Sequence, residues 1–198
     1  MMCQGNLLAL DPNRIYLFSN TLQAIAVAYA VSAILFLFTK LRTQIVIAIV
    51  LLLGFWAAME FISVDGYGGG DYTPQRNLAE WIDNAVLGRF RDGAKVVDGV
   101  VEFKPTYHYT WILSSLTFVV TGLLGMFAGV IAKSQMDEKH KLWWFAGVGT
   151  SLIVAGLLWS IWHPIIKPIW TSSMTLFSGG ICFLLLWLCY YLIDYKGY

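Results

Sequence analysis

Five apolar runs, each close to the length that a helix needs to cross a bilayer, constrain this chain more than any other feature. They cover residues 18–38, 44–62, 109–132, 142–162 and 170–193. A helix crosses the hydrocarbon core with about 20 residues, and only helices or closed barrels satisfy every backbone amide in lipid. Charged residues make up 13% of the chain, against roughly 25% in a soluble domain. We therefore predict an all-α integral membrane protein with about five transmembrane helices.

One polar insert, residues 63–108, separates the second apolar run from the third. It carries 12 of the 25 Asp, Glu, Lys and Arg residues of the chain. Recognition outside the bilayer is therefore expected to involve this insert and the helix ends around it. We predict that residues 1–198 form a single transmembrane bundle that carries the insert on one face of the membrane.

The insert has local patterns of its own. Its first ten residues are rich in glycine and predict a loop. Thr73 followed by Pro74 is typical of an N-cap and the first helical position, so we predict an amphipathic surface helix over 74–88. Asp98-Gly99 between two pairs of valines predicts a β-hairpin with a type I′ turn. The insert is therefore expected to be structured.

The charges of the short loops predict an orientation. Only Arg14 and Lys167 lie in the short segments on the side of the insert. The opposite side carries six cations: Lys40, Arg42, Lys133, Lys139, Lys141 and Lys196. Because cytoplasmic loops are enriched in Lys and Arg, we predict that this basic set is cytoplasmic. The insert and the N-terminus are then extracytoplasmic, the C-terminus is cytoplasmic, and a bacterial inner membrane is the expected location.

Aromatic and small residues add two expectations. Trp111, Trp162 and Trp170 are expected at the outer interface, as members of an aromatic belt. The small-xxx-small pattern of Gly125 and Gly129 predicts close packing of the third span against another helix, and Ser178-Gly179-Gly180 predicts the same for the fifth span.

Polar residues within or beside the spans are candidates for a ligand site. Asn20 and Gln23 begin the first span and are either interhelical hydrogen-bonding residues or ligand contacts. Glu60 either reaches the interface or faces a cavity in which it handles protons. Lys167, the only cation in the turn before the last span, can hold an anionic group, whereas His163 beside it is interpreted as an ordinary amphipathic residue.

Other chemistries find little support in the sequence. Cys3, Cys182 and Cys189 form no disulfide or metal-binding pattern, and no histidine stands at a metal-ligand spacing, so no metal site is predicted. The glycines of residues 66–70 lack the Gly-Lys-Ser/Thr that a phosphate loop requires. The net charge of +1 gives no indication of a nucleic-acid partner.

Four blocks of sequence, taken together, resemble one family. They are residues 5–10 with 18–29, the Asn-Leu-Ala-Glu-Trp-Ile-Asp of 77–83, the Leu-Gly-Met-Phe-Ala-Gly of 124–129, and the Lys-Pro-Ile-Trp-Thr-Ser-Ser of 167–173. In order and spacing they are similar to the heparan-α-glucosaminide N-acetyltransferases of lysosomes and their bacterial homologues.

This resemblance implies transfer of an acetyl group from cytosolic acetyl-CoA to a glucosamine-type amino sugar on the far side of a membrane. The implied partners are membrane lipid and the amino-sugar substrate. By motif match and by position near the outer face, the candidate substrate-binding residues are Asn20, Gln23, Glu60, Lys167, Trp170 and Ser173.

The chain also departs from the family pattern. The N-terminal spans of the family, which include the loop with the histidine taken as catalytic, have no counterpart here. None of His108, His140 and His163 stands in a matching motif, and Ile166 replaces the asparagine before Lys167. We therefore expect a segment of a longer family chain, completed by the missing spans or by a homo-oligomer. The competing interpretation is a non-catalytic bundle: a truncated remnant, an accessory subunit or a small transporter.

Overall fold

The computed structural model describes residues 20–91, 94–97, 100–103 and 109–197. Five long helices dominate this part of the chain: α1 (Thr21–Phe38), α2 (Leu41–Phe61), α4 (Ser115–Ala132), α5 (Glu138–Trp159) and α6 (Ser172–Tyr190). Each is long and apolar enough to cross a membrane, with a mean hydropathy of 1.6–2.1 in its most apolar window. The expectation of five long apolar helices in a mainly α-helical fold is therefore confirmed.

The ends of these helices differ from the predicted spans by a few residues. Helix α5 begins at Glu138, before the predicted start, since residues after Asp137 continue the helix despite their charge. Helix α4 begins only at Ser115, because the segment before it is a turn held by side chains of the insert. Beyond α6, residues Tyr191–Tyr195 form a π-helical turn.

The insert is structured, but its elements begin elsewhere than the sequence predicts. The helix α3 spans Leu78–Leu87 rather than 74–88, and its N-cap is Asn77, whose side chain accepts a hydrogen bond from the Glu80 N–H at 2.8 Å. The prediction of Thr73 as the cap is wrong. Asn77 is the better cap because its amide also donates to the Thr73 carbonyl at 2.8 Å, which closes the preceding turn.

Two small hairpins complete the insert. Strands β3 (Ala94–Val97) and β4 (Val100–Phe103) pair antiparallel with Val97 opposite Val100, as predicted, although the Asp98-Gly99 turn itself lies outside the described residues. The glycine-rich segment, predicted as a loop, contains a further hairpin of β1 (Ser63–Val64) and β2 (Tyr67–Gly68). Its turn residues Asp65 and Gly66 have φ of 52° and 82°, as a type I′ Asp-Gly turn requires.

Close helix contacts are made by Gly180 of the last span, as predicted, and by Gly122, which was not predicted. A Cβ on Gly180 would lie 2.6 Å from the Gly149 carbonyl oxygen, and one on Gly122 would lie 2.5 Å from Ser32 Oγ. A Cβ on Gly125 or Gly129 would meet no atom within 4 Å. The prediction that Gly125 and Gly129 form a packing interface is therefore wrong, and Gly125 borders open space.

The insert, the start of α1 and the connection between α5 and α6 lie at one end of the bundle, which we call the insert end. The opposite end, which we call the basic end, holds the α1–α2 and α4–α5 turns and the end of α6. Trp143 and Trp162 are 78% and 68% exposed, one near each end. Trp111 is only 4% exposed, so its predicted place in an aromatic belt is wrong: it packs under α3 against Leu87.

Candidate functional site

A groove lies between α1 and α4 at the insert end of the bundle. It encloses about 690 Å³. Its floor is formed by small residues of the two helices, and its polar end is closed by residues 160–171, which we call the α5–α6 loop. The residues that define this α1–α4 groove are Ala24, Ala28, Gly122, Gly125, Lys167 and Trp170.

Trp170 has a strained backbone in the wall of this groove. Its φ is 47°, a left-handed conformation that costs a bulky residue on the order of 1–3 kcal/mol. The indole N–H donates to Thr121 Oγ1 at 3.1 Å, and the ring packs against Phe118 with centroids 5.4 Å apart. The tertiary structure therefore holds Trp170 in a conformation that the chain would not adopt alone.

The α5–α6 loop is fixed by hydrogen bonds at both of its ends. Thr171 Oγ1 donates to the Pro164 carbonyl at 2.9 Å and accepts from the Ile166 N–H at 3.1 Å. Ser114, just before α4, donates to the Ile169 carbonyl at 2.9 Å. These contacts set the relative positions of Lys167 and Trp170. Lys167 is exposed at the mouth of the groove and forms no ion pair with a described residue.

A second polar site, the Glu60–Tyr72–His163 relay, lies on the other side of this loop. The Tyr72 hydroxyl donates to Glu60 Oε2 at 2.8 Å and lies 3.0 Å from His163 Nδ1. The Ser172 N–H donates to His163 Nε2 at 3.0 Å. Because Nε2 accepts this backbone hydrogen bond, the neutral ring carries its proton on Nδ1, which donates to Tyr72. The hydrogen bonds therefore run in one direction, from Ser172 to Glu60.

Burial sets the protonation states of His163 and Tyr72. His163 is fully buried, and desolvation lowers its pKa to about 4, so it is neutral at physiological pH. Desolvation, together with the neighbouring Glu60 carboxylate, raises the pKa of Tyr72. With both nitrogens engaged, His163 positions the loop and is not a free base facing the groove.

A third polar cluster joins α3 to the start of α4, and we call it the insert clamp. Arg91 is 1% exposed and forms a bidentate ion pair with Glu80, with N···O distances of 2.5 and 2.6 Å. It also donates to Asn84 and to the Tyr109 carbonyl. Asp83 accepts from the backbone N–H groups of Trp111 and Ile112 at 2.7 and 3.0 Å.

The charge of Asp83 depends on two opposing effects. Desolvation raises the pKa of this buried carboxyl to about 6, although the two backbone donors and Arg91 act in the opposite direction. At neutral pH Asp83 is therefore ionised and holds the segment that leads into α4. The insert clamp is thus a structural cluster rather than a reactive one.

The structure divides the six sequence-predicted site residues into separate groups. Lys167 and Trp170 line the groove together, whereas Glu60 belongs to the relay. Ser173 is buried and donates to the Pro164 carbonyl at 3.1 Å. Asn20 caps α1 by accepting from the Leu22 N–H. Gln23 does not line the groove, and its buried Oε1 has no hydrogen-bond partner among the described residues.

Sequence reasoning missed Tyr72, Thr121 and the burial of His163. Their partners are far away in the chain: Tyr72 is 91 residues from His163, and Thr121 is 49 residues from Trp170. The interpretation of His163 as an amphipathic interface residue is wrong, since its ring is enclosed by Phe55, Tyr72 and Trp159. The one available signal was its place next to Pro164 in a short loop between two spans.

The described ranges contain no group of three or more His, Cys, Asp or Glu side chains placed to bind a metal ion. No protein-family model matches the chain, and no curated protein matches it. The groove, the relay and the insert clamp are therefore the observations on which function is argued.

Proposed function

We propose that the chain is a multi-pass membrane protein that forms the acceptor-binding part of an acetyltransferase, which moves an acetyl group from cytosolic acetyl-CoA to a glucosamine-type amino sugar. The observation that carries this proposal is the α1–α4 groove with Lys167 and Trp170 in one wall. Both residues belong to the Lys-Pro-Ile-Trp-Thr-Ser-Ser block, on which the resemblance to heparan-α-glucosaminide N-acetyltransferases partly rests.

Membrane insertion is supported by the surface of the bundle. In each of the five long helices, only 17–28% of the most apolar window is buried inside the fold. Exposed leucine, isoleucine and valine side chains on the remaining faces need an apolar solvent. We place the basic end in the cytoplasm of a bacterial cell and the insert end outside the inner membrane.

The chemistry requires two substrates to meet. The amine nitrogen of the sugar forms a bond with the acetyl carbonyl carbon, the bond from that carbon to the CoA sulfur breaks, and the amine proton passes through a base to the thiolate. Positioning alone can supply several kcal/mol to such a reaction. The part we assign to this chain is to bind and orient the acceptor in the groove, while the lysines and the arginine of the basic end favour the anionic cofactor.

One observation favours the alternative of a non-catalytic membrane bundle. His163 is buried with both nitrogens engaged, and His140 lies on the exposed surface of the basic end. Neither of these histidines, the two in the described part of the chain, reaches the groove as a base. An accessory bundle that binds a ligand or a partner without catalysing the transfer, or a small transporter, would have this arrangement.

The test is transfer of radiolabelled acetyl groups from acetyl-CoA to glucosamine by the chain in proteoliposomes. We expect transfer by the homo-oligomer that the chain forms in the proteoliposome, and we expect Trp170→Ala to lower it at least ~10-fold, the effect of about 1.4 kcal/mol in the barrier. Trp162→Ala, an exposed tryptophan at the insert end that does not line the groove, is the matched control and should retain wild-type transfer. Absence of transfer above empty liposomes, or equal losses in the two variants, would reject the proposal.

A further inference from the structure

The shape of the α1–α4 groove restricts the ligand that it can hold. On α4 it extends from Phe118 to Met126, eight residues or about 12 Å along the helix axis. On α1 it is bordered by Ile25 and Tyr29, which are 59% and 70% exposed. The groove is therefore long and open along its side, where the chain of a lipid in the surrounding bilayer can enter.

The charge of the groove lies at the insert end. Among the described lining residues, Lys167 is the only charged one, and it lies at the mouth. Further along, the walls are mostly small or apolar side chains of α1 and α4, among them Ala28 and Gly125, together with the hydroxyl-bearing Tyr29 and Thr121. This distribution matches a molecule with an anionic headgroup and a single apolar chain, and it leaves a small soluble sugar with few partners.

An independent observation lies in the wall beside the mouth. Trp111 lines the groove and is 4% exposed, yet its buried indole N–H has no hydrogen-bond partner among the described residues. A buried donor without an acceptor is destabilising. An oxygen-rich headgroup at the mouth would supply an acceptor that the described residues do not.

We propose that the groove binds a membrane lipid with a phosphate headgroup, with the phosphate at Lys167 and one chain along the face formed by Ala28, Gly122 and Gly125. The catalytic meaning of this proposal rests on the proposed function, in which the amino-sugar acceptor would be presented to the groove on a lipid phosphate. The binding of the lipid does not depend on acetyl transfer, and it can be tested without acetyl-CoA.

The two glycines of α4 that border open space provide a matched pair of variants. Gly125 lines the groove, whereas Gly129, one turn further along the same helix, does not. A Cβ at either position meets nothing within 4 Å, so the first side-chain atom of a leucine fits at both positions. Gly125→Leu fills the groove, and Gly129→Leu is its control with the same change in helix propensity.

The experiment uses the whole chain in nanodiscs with a single-chain alkyl phosphate that carries a diazirine near the end of its tail. After irradiation, adducts are mapped by peptide mass spectrometry. We expect adducts to concentrate in residues 21–29 and 118–126, Gly125→Leu to reduce them at least fivefold, and Gly129→Leu to leave them unchanged. Excess inorganic phosphate should not compete, because it lacks the tail.

The headgroup is tested separately by charge. Lys167→Met should lower labelling by the phosphate probe several-fold but leave labelling by an uncharged probe with the same tail and a hydroxyl headgroup unchanged, and Lys167→Arg should restore labelling by the phosphate probe. Adducts spread evenly over the exposed face of α5, equal effects of the two leucine variants, competition by inorganic phosphate, or cross-links between two copies of the chain at the groove would each overturn the proposal. Labelling as expected without acetyl transfer would retain this site and reject only the enzymatic role.

Discussion

The insert clamp and the α1–α4 groove lie at the same end of the bundle, but they differ in whether their charged groups form ion pairs. In the insert clamp, Arg91 has acceptors on Glu80, on Asn84 and on the Tyr109 carbonyl, and only its Nε–H is unpartnered among the described residues. In the groove, by contrast, Lys167 forms no ion pair with a described residue and Trp170 has a strained backbone.

This difference indicates which region maintains the fold and which is available for a ligand. Buried charges that are fully paired fix one arrangement, and removing one partner is expensive. Strain and unpartnered groups persist where the surrounding structure imposes them, and such positions are concentrated at functional sites. The insert clamp therefore holds α3 against the start of α4, and the groove is the region in which we place function.

Removing the arginine of the insert clamp should produce the largest effect. Arg91→Met leaves Glu80 buried without its partner, and such a change costs about 3–5 kcal/mol of the free energy of unfolding. Arg89→Met, whose side chain is exposed, is the control and should change it by less than about 0.5 kcal/mol. Denaturant titration in mixed micelles measures both variants. Equal losses in the free energy of unfolding for the two variants would mean that the Arg91–Glu80 ion pair does not stabilise the insert.

Replacing the buried histidine of the relay should have an intermediate effect. His163→Leu leaves the Ser172 N–H without its acceptor, at a cost of about 1–3 kcal/mol, whereas His140→Leu changes only an exposed residue. Thermal unfolding of the two variants at pH 7.5 measures the difference. An unchanged melting temperature in His163→Leu would show that the relay does not stabilise the α5–α6 loop.

The relay also predicts a pH dependence with a definite sign. Burial lowers the pKa of His163 from 6.5 to about 4, so the unfolded chain binds the proton more readily than the folded one between these values. The stability contributed by neutral His163 is present above pH 6.5 and falls by roughly 2 kcal/mol as the pH is lowered to 5.

The control for this pH effect is the same histidine variant. His163→Leu should not show this loss of stability between pH 6.5 and pH 5. The contribution of Asp83 to the pH dependence of stability, which comes from its raised pKa, is common to both proteins. Melting temperatures measured from pH 7.5 to 5 compare them. Parallel curves for the wild type and the variant would contradict the assignment.

The smallest effect on stability is expected in the wall of the groove. Thr121→Val removes the acceptor of the Trp170 indole N–H and should cost about 1 kcal/mol, while Thr121→Ser keeps the hydroxyl and should cost less. In the acetyl-transfer assay, the valine variant should be the more impaired of the two. If serine and valine behave alike, the hydrogen bond does not hold Trp170 in place.

The five helices could be predicted because their signal is local. An apolar run of the right length identifies a helix without knowledge of its neighbours. The hairpin of β3 and β4 was predictable for the same reason, since an Asp-Gly pair between valines determines its own turn. The same pair at Asp65-Gly66 also forms a hairpin turn, but sequence predicts only a loop there, because the glycines that follow it obscure the short strands.

The site could be predicted only in part, because its contacts are not local. Lys167 and Trp170 belong to one short block, and sequence could place them together. Gly125 and Gly129 show the limit of such patterns, since a glycine that packs against a helix and one that borders a groove have the same spacing. The ring partners of His163 come from α2, the insert and α5, which no local pattern brings together.

The most direct test of the central claim, that the groove is where this bundle binds its acceptor, measures acetyl transfer and melting temperature in the same two proteins. We predict that Gly125→Leu lowers transfer at least ~10-fold, that Gly129→Leu leaves it unchanged, and that both keep the wild-type melting temperature within about 3 °C. Equal transfer by the two variants, with both proteins folded, would contradict the assignment of function to the groove.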